Sequence, residues 1–234
     1  ADVHLPSPAS LADEEAATIP VVYLTVYFAL FEKARLGAGQ GVLVHAGTGG
    51  VGMAAITVAK KRGLKIFATC SGPKREFLKD KFGLEGWQIG DSRSEAFVNT
   101  VLEGTGGRGV DAVLNQLAGS LQTASLRCVA ANGHFCEIGK YDVMQNNTIQ
   151  QGLLANNVSF HCIDLLPLLC DPFYKPLWDE MLSHGFDKGE IVPLPVRSFD
   201  AMDIIDAFRF MSQGKHKGKI VISGLQAQRY AVRR

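Results

Sequence analysis

Apolar and polar positions change period repeatedly along this chain of 234 residues, and each change marks an element. From Thr18 to Leu36 the chain is strongly apolar. Its length and the Leu24, Phe28, Phe31 spacing predict a buried helix, ended by Gly37 and Gly39. Val42 to Ala46 is a short apolar run with the character of a buried strand. A glycine turn follows, Gly47-Thr48-Gly49-Gly50-Val51-Gly52. Small side chains at Val51, Ala54, Ala55, Val58 and Ala59 then recur with helical spacing up to about Arg62. Lys65 to Cys70 reads as a second strand, and Lys74 to Phe82, opened by Pro73, as a helix. The same alternation predicts strands over Trp87–Ile89, Val110–Leu114, Gly133–Ile138 and Val158–Ile163. It predicts helices over Glu95–Glu103 and Ser120–Val129. Strands alternating with ten-residue helices imply right-handed β-α-β units and a Rossmann-type, doubly wound parallel sheet of the α/β class.

The rhythm breaks at both ends and once inside. Tyr141 to Asn157 is rich in Asn and Gln and is expected to loop over the sheet edge. Phe173 to His184 is expected to be a helix. Glu190 to Arg197 carries two prolines and fits an edge strand or strap. Ala201 to Ser212 is amphipathic, with Ile204, Ile205, Phe208 and Met211 on one face. Lys219 to Ser223 reads as a closing strand. Ala1 to Glu15 has the look of a connector, with Ser10 or Asp13 able to cap a short helix through Ala17. The expected organisation is a connector over 1–17, a Rossmann-type α/β domain over 18–189, a return segment over 190–225 and a polar basic tail over 226–234.

Charge narrows the choice of partners. With 24 basic and 23 acidic residues the net charge is +1, so no long-range field favours nucleic acid or an anionic membrane. No apolar run is expected to reach the ~20 residues of a membrane span, and the first residues do not have the pattern of a signal peptide. The five cysteines are widely spaced and mostly inside apolar runs, with no C-x-x-C and no zinc-ligand spacing. They read as small core residues of a protein in a reducing, cytoplasmic compartment, with no metal site.

The glycine turn carries the chemistry. A bare G-x-G-x-x-G is a weak signal, and such turns also occur without a ligand. Here it follows a strand and opens a helix, the context that makes it informative. Gly47 permits the tight turn, Gly49 lets backbone approach a pyrophosphate, and Gly52 lets the helix pack close to the strand. Thr48, Gly50 and Val51 complete the phosphate-facing loop at the helix N-terminus. NAD-binding units place an acidic residue about 20 positions further on, against the ribose 2′-hydroxyl. No acid stands there; Ser71-Gly72-Pro73-Lys74-Arg75 follows instead. A hydroxyl at Ser71 and cations at Lys74 and Arg75 suit a 2′-phosphate, so the expected cofactor is NADPH.

These stretches, with IPVVYLTVYFAL, VLVHAGTGGVGMAAI, GVDAVLNQLAG, GHFCEIGKYD, NNVSFHCIDL and AFRFMSQGKHKGKIVIS, resemble the medium-chain dehydrogenase/reductase superfamily. More narrowly they are similar to the zinc-free enoyl reductase region of animal-type fatty acid synthases and reducing polyketide synthases. The likeness runs from Ile19 to Ser223. It implies NADPH-dependent reduction of a 2-enoyl thioester bound to an acyl carrier protein, among the other domains of the same synthase. It implies Lys140 and Asp164 as candidate proton donors, Thr25 near the nicotinamide, and Asn115, Ile138 and Gly139 along the nicotinamide ribose. It also implies pairing of two copies across the sheet edge at Val158–Ile163. Family members begin with a β-rich, GroES-like substrate domain. The terminal segments here look like the parts that join or complete that domain, which is otherwise largely missing. Two other functions fit the same residues: a stand-alone quinone or enal reductase, and a non-catalytic NADPH-binding or dimerisation module.

Overall fold

The computed structural model describes residues 11–224. Ser10, most of the expected connector and the tail over 226–234 lie outside them. Among the described residues, β1 (Gly41–Val44), β2 (Lys65–Cys70), β3 (Ile89–Asp91), β4 (Val110–Asn115), β5 (Val129–Glu137) and β6 (Ser159–Cys162) form one parallel sheet in the order β3-β2-β1-β4-β5-β6. The order reverses between β1 and β4, the place where a doubly wound sheet opens a crevice beyond its strand ends.

Burial follows from the strand period of two. Val42 and Val44 join Ile66, Ala68, Ala112 and Leu114 in one core layer, while Leu43 joins Phe67, Val113 and Phe135 in the other. A single turn, α1 (Asp13–Ala16), precedes α2 (Pro20–Val26), which covers the first layer together with α3 (Gly50–Lys61) and α4 (Arg75–Phe82). The second packs under α5 (Phe97–Gly104) and α6 (Ser120–Leu126). A parallel sheet covered on both faces accounts for the near-continuous apolar strands of the sequence.

The apolar helix departs from expectation at its end. α2 runs into a π-helical stretch, Tyr27–Lys33, and the chain leaves it at Arg35, whose φ is +50°. The helix therefore stops before Leu36 and the two glycines expected to end it. The Asp13–Lys33 stretch also has the length and apolar composition of a membrane span, which the sequence reading missed. Tyr23, Val26, Ala29 and Leu30 on it are fully buried in the core of this chain.

Other boundaries move for local reasons. Trp87 lies in a 3₁₀ turn, and β3 begins two residues later, at Ile89. The segment after β5 is not a plain loop: it holds α7 (Tyr141–Met144) and a 3₁₀ turn, Gln151–Leu154. α8 (Leu166–Cys170) has no counterpart among the predicted elements, and α9 spans Lys175–Asp187. Residues 190–195 form an extended strap and not a strand. Glu190 accepts from Tyr27 Oη at 2.9 Å and pairs with Arg62 at 2.8 Å, and Val192 and Leu194 are fastened to Tyr23 and Thr18. The regular part starts later, at β7 (Val196–Asp200), which pairs in parallel with β8 (Lys219–Ser223) in a separate two-stranded sheet. Between them α10 (Ile204–Ser212) leaves Ile204, Ile205, Phe208 and Met211 exposed, so its apolar face is not part of the core described here.

Candidate active site and dinucleotide cleft

The glycine turn is built by close approach. A Cβ on Gly52 would lie 2.3 Å from Ala46 O and 2.8 Å from Gly47 Cα, both backbone atoms. Only hydrogen fits where α3 crosses the end of β1. At Gly47 a Cβ would press on Ile56, Ala68 and Leu78 at 3.1–3.3 Å. The left-handed backbone of the turn falls on Ala46, φ +46°, not on Gly47. Gly49 caps α3: its N–H donates to Ala46 O and its carbonyl accepts from Met53. The parallel bridge between Gly49 and Gly218 sets the Gly218 carbonyl on the Gly50 N–H, while the amides of Val51 and Gly52 donate to no other described residue. These two are free N–H groups at the positive end of a helix of 12 residues.

Around this turn lies a cleft of about 450 Å³. Its walls include Val22, the Thr48–Gly52 loop, Lys74, Gln116 and the segment after α10, with His216, Gly218 and Lys219. The return segment is locked on by Gly218 N–H, which donates to Thr48 O at 3.0 Å. The Lys219 stem lies over Gly50, where a Cβ would come within 2.8 Å of its Cδ. A larger cavity, about 570 Å³, sits at the other end of the strands beside Gly41, Lys65 and Asp111, away from these groups.

The two cations expected to act together part company. Lys74 lines the cleft, and its ammonium donates to Gly214 O at 2.7 Å and His216 O at 2.8 Å. Burial lowers the Lys74 pKa, and Lys217 and Arg93 depress it further. No described carboxylate pairs with Lys74. Arg75 instead donates to Gly86 O at 2.8 Å and does not line the cleft. Ser71, at the end of β2, uses its carbonyl to hold Lys74 N–H and is not on the cleft wall.

The nicotinamide-side candidates divide likewise. The Thr25 hydroxyl is buried and donates to Val21 O at 2.7 Å, within its own helix. Asn115 is fully buried: its Nδ2 donates to Leu117 O at 2.8 Å and Glu137 Oε2 at 2.6 Å, so its side chain faces the core, and Gln116 is the cleft residue at that strand end. Ile138 N–H donates to Asn115 O, and Gly139 N–H to Glu137 Oε1 at 2.6 Å. Lys140 and Asp164 do meet. Lys140 Nζ lies 3.2 Å from Asp164 Oδ2 and 3.1 Å from Ile163 O. The Leu166 N–H and the Lys140 ammonium hold the Asp164 carboxyl below the usual carboxylate range. It is thus an acceptor that aims Lys140, and not a proton source near neutrality.

Sequence reasoning missed Gln116, Arg93, His216, Lys217 and Lys219. The QGKHKGKIV run stands out in the sequence, but its nearness to the glycine turn depends on the chain returning from more than 150 positions away. Glu137 was missed because a lone acid in an apolar strand has no local signature, and Gln122 because its part depends on that acid. Among the described residues no three His, Cys, Asp or Glu side chains cluster as metal ligands.

Glycine turn after β1, Gln116 after β4, Lys140 after β5 and Asp164 after β6 all sit at the carboxyl edge of one parallel sheet. The zinc-binding dehydrogenase family model matches residues 84–222. The chain is 40% identical to the nucleotide-binding subdomain of the enoyl reductase domain of PpsC from Mycobacterium tuberculosis, covering 97% of that chain and 75% of this one at a TM-score of 0.67. The chain belongs to the enoyl reductase branch of the medium-chain dehydrogenase/reductase superfamily. This enoyl reductase region is also 35% identical to the CurK enoyl reductase, with a TM-score of 0.83 over 94% of this chain and 65% of that one. It is 46% identical over 226 residues to a phenolphthiocerol/phthiocerol polyketide synthase of Mycobacterium tuberculosis. A highly reducing polyketide synthase of Emericella nidulans is 39% identical. The region spans 10% and 9% of those two synthases.

Proposed function

We propose that this region binds NADPH along the glycine turn and presents it to a 2-enoyl thioester held on an acyl carrier protein of the same synthase. The observation that carries the reading is the pair of unpaired amides at Val51 and Gly52, flanked by an ammonium at Lys74 that no described carboxylate neutralises. Free N–H groups at a helix N-terminus suit a pyrophosphate. Lys74, with Lys217 and Arg93 nearby, suits the additional 2′-phosphate. The residues thus fit a reduced pyridine nucleotide, with Lys219, Gly218 and His216 closing the cleft over it.

NADPH would supply the hydride that saturates the β-carbon of the thioester. Negative charge then grows on the thioester oxygen, and a cation held at the strand ends stabilises it. Lys140 fills that role, aimed by Asp164 and Ile163 O, and can hand a proton to the α-carbon. A positioned general acid contributes about 10²–10⁴-fold; water can also protonate an enolate, which puts Lys140 at the low end.

A second reading has its own support. The region covers nearly all of a nucleotide-binding subdomain but only 65% of a whole enoyl reductase, which favours binding without turnover for this chain alone. The test is NADPH titration by nicotinamide fluorescence, followed by an enoyl-thioester turnover assay. Binding with turnover supports the first reading, and binding without it the second. Absence of NADPH binding refutes both.

A further inference from the structure

Glu137 is the last residue of β5 and is 2% exposed. Three N–H groups converge on its carboxylate: Gly139 N on Oε1 at 2.6 Å, and Asn115 Nδ2 at 2.6 Å and Gln122 Nε2 at 2.8 Å on Oε2. No described cation pairs with it, and burial pushes its pKa up. A buried acid without a counter-ion is costly unless hydrogen bonds satisfy it. What the acid does here is join two turns. Asn115 is oriented by Leu117, which both accepts from its Nδ2 and donates to its Oδ1. On the other side Glu137 holds the Ile138-Gly139-Lys140 turn, and a Cβ on Gly139 would come within 3.3 Å of Gln116 Cα.

We propose that Glu137 is the positioning residue of the nicotinamide end of the cleft, tying the tips of β4 and β5 so that the Gln116–Leu117 and Ile138–Lys140 turns keep one relative placement. It acts through those turns and touches no reacting atom. An amide cannot replace it. In either orientation of a glutamine here, the N–H of Gly139 or of Asn115 faces another donor and loses its acceptor. Aspartate keeps the charge and both acceptors, set back by one methylene.

This inference rests on the NADPH reading, and the experiment separates the two. Wild type, Glu137→Gln and Glu137→Asp of the whole 234-residue chain are titrated with NADPH and with 2′,5′-ADP, which carries the adenine-side phosphate but no nicotinamide. Amide exchange is followed at Gly139, Leu117 and the β1 core. Glu137→Gln is expected to weaken NADPH at least about fivefold and leave 2′,5′-ADP within about twofold. It should also speed exchange at Gly139 or Leu117 by about tenfold with β1 unchanged, in keeping with the loss of one buried hydrogen bond. Glu137→Asp is expected to recover part of the NADPH affinity. Equal weakening of both ligands, or faster exchange throughout β1, would show general destabilisation and overturn the proposal. So would wild-type affinity and wild-type exchange in Glu137→Gln. If wild type binds neither ligand, the NADPH reading has failed and the positioning role falls with it. Exchange at the two turns then reports only whether Glu137 ties them.

Discussion

Replacing Gly52 with alanine tests the glycine turn most directly. The new Cβ would sit 2.3 Å from Ala46 O, 2.8 Å from Gly47 Cα and 2.9 Å from Ala46 C. All three are backbone atoms, so α3 must lift from the end of β1. Overpacking of this kind costs about 1–3 kcal/mol. Alanine recovers up to about 1 kcal/mol of helix propensity, though less in a first turn, leaving a net loss of about 1–2 kcal/mol. For a chain of this size that lowers the melting temperature by roughly 2–8 °C. The shift should also move the free amides of Val51 and residue 52, weakening NADPH at least about tenfold by loss of charge-assisted hydrogen bonds. Gly50→Ala is the control. Its Cβ meets the flexible Lys219 stem at 2.8 Å and Val22 at 3.3 Å, so its melting temperature should stay within about 2 °C of wild type. Thermal unfolding and fluorescence titration of both variants decide the matter. A Gly52→Ala protein as stable as Gly50→Ala, with wild-type affinity, would refute the close-approach account.

Three further outcomes are expected. Lys74→Ala should weaken NADPH by about tenfold or more and NADH by less, whereas Arg75→Ala should change NADPH affinity by less than about twofold; equal effects of the two would return the 2′-phosphate to both cations. In an enoyl reductase complete with its substrate portion, Lys140→Ala should slow turnover by roughly 10²-fold without abolishing it, and unchanged turnover would remove Lys140 from the chemistry. His45 is fully enclosed between Thr69 Oγ1 at 3.0 Å and Ser125 Oγ at 2.8 Å, and burial lowers its pKa to about 3. The unfolded chain binds that proton near pH 6.5, so the neutral imidazole contributes its full stability above about pH 6.5. That stability is lost as pH falls toward 3, by up to about 1.4 kcal/mol per pH unit. Urea unfolding of wild type and His45→Gln at pH 7, 5.5 and 4.5 checks this: the variant should lose less on acidification, and parallel losses would contradict it.

The alternation of apolar runs with small-faced helices was enough to specify a doubly wound parallel sheet. The glycine turn marked its working edge, because strand period, helix period and turn chemistry are local properties of consecutive residues. Family likeness singled out Lys140 and Asp164 as candidate proton donors, and that the two side chains meet at 3.2 Å is a matter of the tertiary structure. Sequence did not separate Lys74 from Arg75: both stand in one cationic pair, and only the carbonyls of Gly214 and His216, delivered by a segment about 140 positions later, draw Lys74 into the cleft. Nor did it turn Asn115 inward, since that depends on Glu137 arriving on the adjacent strand. Side-chain partners of this kind are set by which strand ends lie side by side. Strand order is a long-range outcome that no periodicity within a single segment encodes.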